Sequence, residues 1–165
     1  MAWWKSLFQN ILFSFPFPSI FFQKLFLEKI GKKNSDLEKK YGHEVLVILE
    51  RKIPWLLFFQ GMNSKQRAFQ LFLHHRVWDT EENDGILFYI LVAERKVEIL
   101  ADRAVHQKLG SAFFQKICQE TCVSFQKKEH EEAIVKTLEA IFVETNKHFH
   151  PKRKENELSD RPLIL

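Results

Sequence analysis

Residues 86–101 read ILFYILVAERKVEILA. The first run, Ile86 to Ala93, is apolar in both parities and too short for an ordinary globular helix, so it predicts a strand buried on both faces, a central one. The charged turn Glu94-Arg95-Lys96 and a second run from Val97 to Ala101 then predict a β-hairpin. Upstream, residues 44–50 (EVLVILE) repeat the signature of a buried strand, bounded by Gly42 and by Arg51-Lys52 and ended by Pro54.

Between these strands, Asn63 or Ser64 caps an expected helix that buries Ala68, Phe69, Leu71, Phe72 and Val77 and ends near His74, His75 and Arg76, cations that suit a C-terminus. After Asp102 two amphipathic helices are expected. One carries Phe113, Phe114, Ile117, Cys118, Cys122 and Phe125, and the next carries Ala133, Ile134, Leu138, Ile141, Phe142 and Phe149. A helical pattern also runs from Ser19 to Tyr41, with Gly31 and Asn34 marking an expected break. Pro162-Leu163-Ile164-Leu165 is apolar enough to add an edge strand. The order predicts an α/β fold with a small mixed sheet of about four strands and helices packed on its faces.

The net charge of +4 sits in residues 1–34, where Lys5, Lys24, Lys29, Lys32 and Lys33 outweigh Glu28; the rest is neutral, which argues against a nucleic-acid partner. The same segment holds Trp3, Trp4, Phe8, Phe13, Phe15, Phe17, Phe21, Phe22 and Phe26. Pro16 and Pro18 interrupt it, so it is too short and too broken to span a bilayer, and it lacks the flanks of a signal peptide. Two readings stay open: an interfacial anchor on an anionic membrane surface, or an apolar arm folded back on the domain. Trp55 to Phe59, just after Ile53-Pro54, extends either surface. Cys118 and Cys122 are too few for a disulfide framework, so a reducing cytoplasm is expected. On one helical face and without two further placed ligands, they read as core cysteines rather than zinc ligands.

Asp79, Glu81, Glu82, Asn83, Asp84 and Asp102 supply hard oxygens of the kind calcium takes, and Asp102 falls where a strand ends. Set against this, residues 79–85 also read as a solvated turn and Asp102 as a helix cap or a partner of Arg103. No glycine-rich phosphate loop and no Cys-x5-Arg arrangement is present.

Val77-Trp78-Asp79-Thr80, Asn83-Asp84-Gly85 running into the strand, residues 97–103 ending in Asp102-Arg103, and residues 156–162 ending in Arg161-Pro162 together resemble the TPM-domain family, in its small bacterial branch. With Gly42, Glu44 and Glu50 the resemblance spans about residues 35–165, and the first 17 residues have no counterpart in it. It implies a three-layer α/β/α sandwich. It also implies several activities: a plant thylakoid-lumen relative is described as a phosphatase, some bacterial relatives bind calcium, and an animal relative is an ion-channel auxiliary protein. Ala104 replaces the family's usual glycine after Asp-Arg, which alters the expected turn, and Ser159 replaces a proline.

These readings divide the chain into an aromatic, basic arm and helix (1–34) and a TPM-like α/β domain (35–165). The leading expectation is a bacterial cytoplasmic protein, peripheral at the inner membrane, that binds Ca²⁺ through Asp79, Asn83, Asp84 and Asp102. The alternatives are a metal-assisted phosphatase, and a non-enzymatic module whose arm recruits it to anionic lipid or an integral membrane protein.

Overall fold

The computed structural model describes residues 22–149 and 156–165. Its centre is built from the two apolar runs. β1 (Val45–Glu50) and β2 (Ile86–Leu91) lie parallel, Val45 opposite Ile86 and Glu50 opposite Leu91, with every residue of both strands buried. β3 (Lys96–Ala101) returns antiparallel along β2, and β4 (Leu163–Ile164) pairs in parallel with β1. The order β3-β2-β1-β4 makes a mixed four-stranded sheet in which the strand at residues 86–91 is internal.

Because strand side chains alternate, the two apolar parities serve two separate cores. Val45, Val47, Leu49, Ile86, Phe88 and Ile90 meet α1 (Lys24–Tyr41), α4 (Arg103–Gln126) and α5 (His130–Asn146). Leu46, Ile48, Leu87, Tyr89 and Leu91 meet α2 (Trp55–Phe59) and α3 (Ser64–His74). The result is an α/β/α sandwich, and a parallel pair buried on both faces is what such layering requires.

α1 does not break at Gly31 and Asn34, as the sequence predicts; it runs unbroken and ends at Gly42 in the left-handed conformation. Both residues are packing devices. A Cβ on Gly31 would lie 3.3 Å from Cδ of Pro162, so glycine lets the C-terminal segment cross the helix. Asn34 is fully buried and donates from Nδ2 to the Val45 carbonyl at 2.8 Å, tying α1 to β1. The boundary placed between residues 34 and 35 therefore falls inside one helix, whose Phe26 and Ile30 belong to the core.

α3 starts as expected, with a reciprocal capping box between Asn63 and Gln66. It buries Ala68, Leu71 and Phe72, whereas Phe69 is 54% exposed, a second correction. Residues 68, 71 and 72 share a helical face, and 69 lies about 100° round from 68. α4 is kinked at Gly110, whose φ of 77° suits glycine alone. His106 Nε2 and Ser111 Oγ, 3.1 Å apart, span the kink. α4 and α5 are joined by the hydroxyls of Thr121 and Thr137, 2.6 Å apart, each also donating to or facing its own helix's carbonyls.

Candidate functional site

The acidic loop and Asp102 meet at one end of the sheet. Ile86 N–H donates to the Glu44 carbonyl at 3.0 Å and Asp102 N–H to the Gly85 carbonyl at 2.9 Å, so residues 43–44, 84–85 and 102 sit side by side. This is the carboxyl end of β3 but the amino end of β1 and β2. The rule that open α/β sheets collect ligands beyond the carboxyl ends of parallel strands points to the opposite edge.

Of the four residues expected to hold a cation, Asp84 and Asp102 sit side by side at this end of the sheet, while Asp79 and Asn83 lie on the exposed loop. Asp84 is buried and its oxygens are engaged: Oδ2 lies 3.2 Å from His43 Nδ1, and Oδ1 accepts from Thr80 Oγ1 at 3.3 Å. Thr80 Oγ1 in turn accepts from the backbone N–H groups of Asp84 and Gly85. Gly85 is demanded by space, since a Cβ there would stand 1.9 Å from the Val77 carbonyl oxygen. Asp102 is 8% exposed, heads α4 and makes no side-chain capping bond.

Among the described residues no group of three or more His, Cys, Asp or Glu side chains could hold a metal ion. Calcium takes six to eight oxygens, and these residues offer it neighbouring positions at Asp84 and Asp102 rather than a cage. Glu44, which the loop's composition does not flag, belongs to the same end. It accepts from the N–H groups of Glu157 and Leu158, and burial, then the nearby Asp84 and Glu157 charges, raise its carboxyl above the usual range against those amides. Thr80 stands in one of the motifs quoted above without a role, and His43 escapes a reading of the sequence; placement beside Asp84 is what marks both.

The opposite end holds a buried ionic network. Glu50, 1% exposed, receives Nε and Nη2 of Arg67, the latter at 2.7 Å, and the Tyr89 hydroxyl at 2.7 Å. Burial, then the Glu50 charge, raises the Tyr89 phenol far above its ordinary value, so it stays a donor. Above this network the surface is aromatic and basic. The Arg51 guanidinium lies over the Phe22 ring at 4.5 Å, and Lys52 Nζ over the Trp55 ring at 5.0 Å.

A groove of about 760 Å³ runs between β3 and α4, lined by Ile99, Phe114, Cys118 and Cys122 among others. Its cysteines are half-buried and pack against the edge of the core. Burial pushes the Cys118 thiol up to about 12 and raises that of Cys122, so neither is an activated nucleophile.

The sequence profile of the TPM domain matches residues 22–144. The chain belongs to the TPM domain family. The BA42 protein of the psychrophilic bacterium Bizionia argentinensis, solved by NMR, is similar in fold: TM-score 0.76 at 18% identity, covering 92% of this chain and 100% of that one. No functionally curated protein matches the sequence. The TPM profile begins at Phe22, within two residues of α1, which accords with that helix being part of the domain core. Among the described residues of this TPM domain, no helix is long and apolar enough to cross a membrane.

Proposed function

We propose that this TPM-domain chain is a non-enzymatic module that works at the face of an anionic membrane, recruited there by its aromatic residues 1–21, with the lysines of residues 5–33 toward anionic lipid. The observation that supports this reading is the point at which those residues join the domain. Phe22 is stacked under Arg51, and the neighbouring cation Lys52 covers Trp55, so the aromatic segment leads directly into a surface of the same composition. Aromatic rings at headgroup depth with Lys and Arg toward anionic lipid make an interfacial anchor. The test is flotation of the full chain with anionic vesicles against a variant with Trp3→Ser, Trp4→Ser and Phe8→Ser. Loss of flotation supports the reading; equal flotation defeats it, and binding only to vesicles carrying an integral protein reassigns the partner.

A second reading has one observation in its favour. The Asp102 carboxylate is nearly buried, uncapped, and adjoins Asp84 through the β2–β3 pairing. Two carboxylates and water suffice for a weak, partly hydrated divalent-cation contact. Calcium titration by calorimetry, with Asp102→Asn as control and circular dichroism to verify folding, decides it. No heat from the folded wild type ends that reading.

A further inference from the structure

Among the described residues, α2 gathers three exposed large apolar side chains on one short helix. Trp55, Leu56 and Phe59 are 36%, 72% and 68% exposed. Trp55 and Phe59 stack with centroids 5.8 Å apart, while Phe58 turns inward to the core as the helix's single buried residue. The patch is continuous with its surroundings. Phe22 meets Arg51, Arg51 N–H donates to the Leu165 carbonyl at 2.9 Å, Lys52 follows in the chain, and Lys52 covers Trp55.

We infer that α2 is a second membrane contact, which inserts Trp55, Leu56 and Phe59 into the headgroup layer of an anionic bilayer while Arg51 and Lys52 meet lipid phosphates. This inference rests on the membrane reading above and gives it a site within the fold. Three arguments favour a bilayer over a protein partner. A five-residue helix offers too little apolar area for a stable protein interface. Trp and Phe interleaved with cations are the composition of a membrane interface. Stable peripheral attachment needs two weak signals, and Phe22, the residue that follows the aromatic segment in the chain, lies under Arg51, next in sequence to the Lys52 that covers Trp55.

The experiment uses the full chain and vesicles of phosphatidylcholine with and without phosphatidylglycerol. Leu56→Glu with Phe59→Glu, both exposed and so compatible with the fold, lowers partitioning to anionic vesicles by at least about tenfold. Leu56→Phe with Phe59→Leu retains it. Arg51→Gln and Lys52→Gln each reduce the preference for anionic over neutral vesicles about fivefold. Urea midpoints and circular dichroism establish that each variant is folded.

The inference fails if the folded glutamate variant floats like the wild type. It also fails if the wild type is a dimer by light scattering that the glutamate variant dissociates, because the face then belongs to a second copy. If the Trp3, Trp4 and Phe8 substitutions abolish flotation while the α2 variant behaves as wild type, the arm reading stands and α2 does not take part. If the wild type binds no vesicle, both ideas fall.

Discussion

Glu38 and Asp160 are hydrogen-bonded carboxyls that fasten the C-terminal segment to α1. Burial, and then the bond to Asp160, raises Glu38 to about 10, while its Oε1 still accepts from Asn34 and from the Val45 N–H. Asp160 moves the other way: burial opposes it, but hydrogen bonds from Glu38, Ser35 and Asn156 hold it below the usual carboxylate range.

The sign of the pH dependence follows. Glu38's contribution is complete below its unfolded value and is lost as pH rises toward its folded value; Asp160's is present above its unfolded value and lost in acid. The wild type is therefore expected to lose stability steadily as pH rises between about 5 and 10, with a limiting slope of about 1.4 kcal/mol per pH unit. Glu38→Gln, which keeps a donor for Asp160 and cannot titrate, flattens that limb. Urea midpoints across the range measure both, and parallel curves for the two proteins count against the shared proton.

Removing one partner of the buried ionic network should cost more than removing its hydroxyl. Arg67→Met leaves the Glu50 carboxylate uncompensated and is expected to destabilise by roughly 3–5 kcal/mol. Tyr89→Phe removes a bond to a charged group, about 1.5–3 kcal/mol. A double variant, Glu50→Gln with Arg67→Met, recovers part of the first loss. Equilibrium denaturation gives all three.

Two glycines should fail for different reasons. Gly85→Ala collides with the Val77 carbonyl, and a loss of roughly 3 kcal/mol or more is expected. At Gly110 a Cβ meets nothing within 4 Å, so Gly110→Ala carries only the strain of positive φ, about 1–2 kcal/mol. Gly110→Asn recovers nothing, because φ 77° with ψ 154° lies outside the left-handed helical region that asparagine tolerates; Gly85→Asn recovers nothing either.

The thiols give a kinetic prediction. Since burial raises both, alkylation near pH 8 is expected to be slower than for free cysteine by about tenfold or more, and slowest at Cys118. Its rate keeps climbing past the pH at which free cysteine levels off. Mass spectrometry of timed iodoacetamide reactions resolves the two sites.

What the sequence disclosed was what period and local chemistry encode. The runs expected at 44–50 and 86–93, the hairpin and the Asn63 cap all depend on neighbours a few residues apart, and all form, with the strands at 45–50 and 86–91 and the turn at 92–95 rather than 94–96. Gly31 and Asn34 misled because their partners, Pro162 and Val45, are supplied by other elements. Phe69 is apolar yet faces outward, which residue type alone does not reveal. At the acidic end the count of oxygens was legible but their direction was not: Asp84 is turned to His43 and Thr80, while Asp79 and Asn83 face solvent. Glu50, Arg67 and Tyr89 come from three elements, and only a carboxylate closing an apolar run hinted that it would be buried with a partner.

The parallel pairing of β1 and β2 puts Glu44, Asp84 and Asp102 at one pole and Arg51, Lys52 and Trp55 at the other, about 20 Å apart along six-residue strands. These opposed charges contribute a dipole component along the strands. In the membrane-bound state proposed above, that component turns Arg51 and Lys52 toward the anionic surface, and every bound copy presents the same acidic face to whatever approaches from solution.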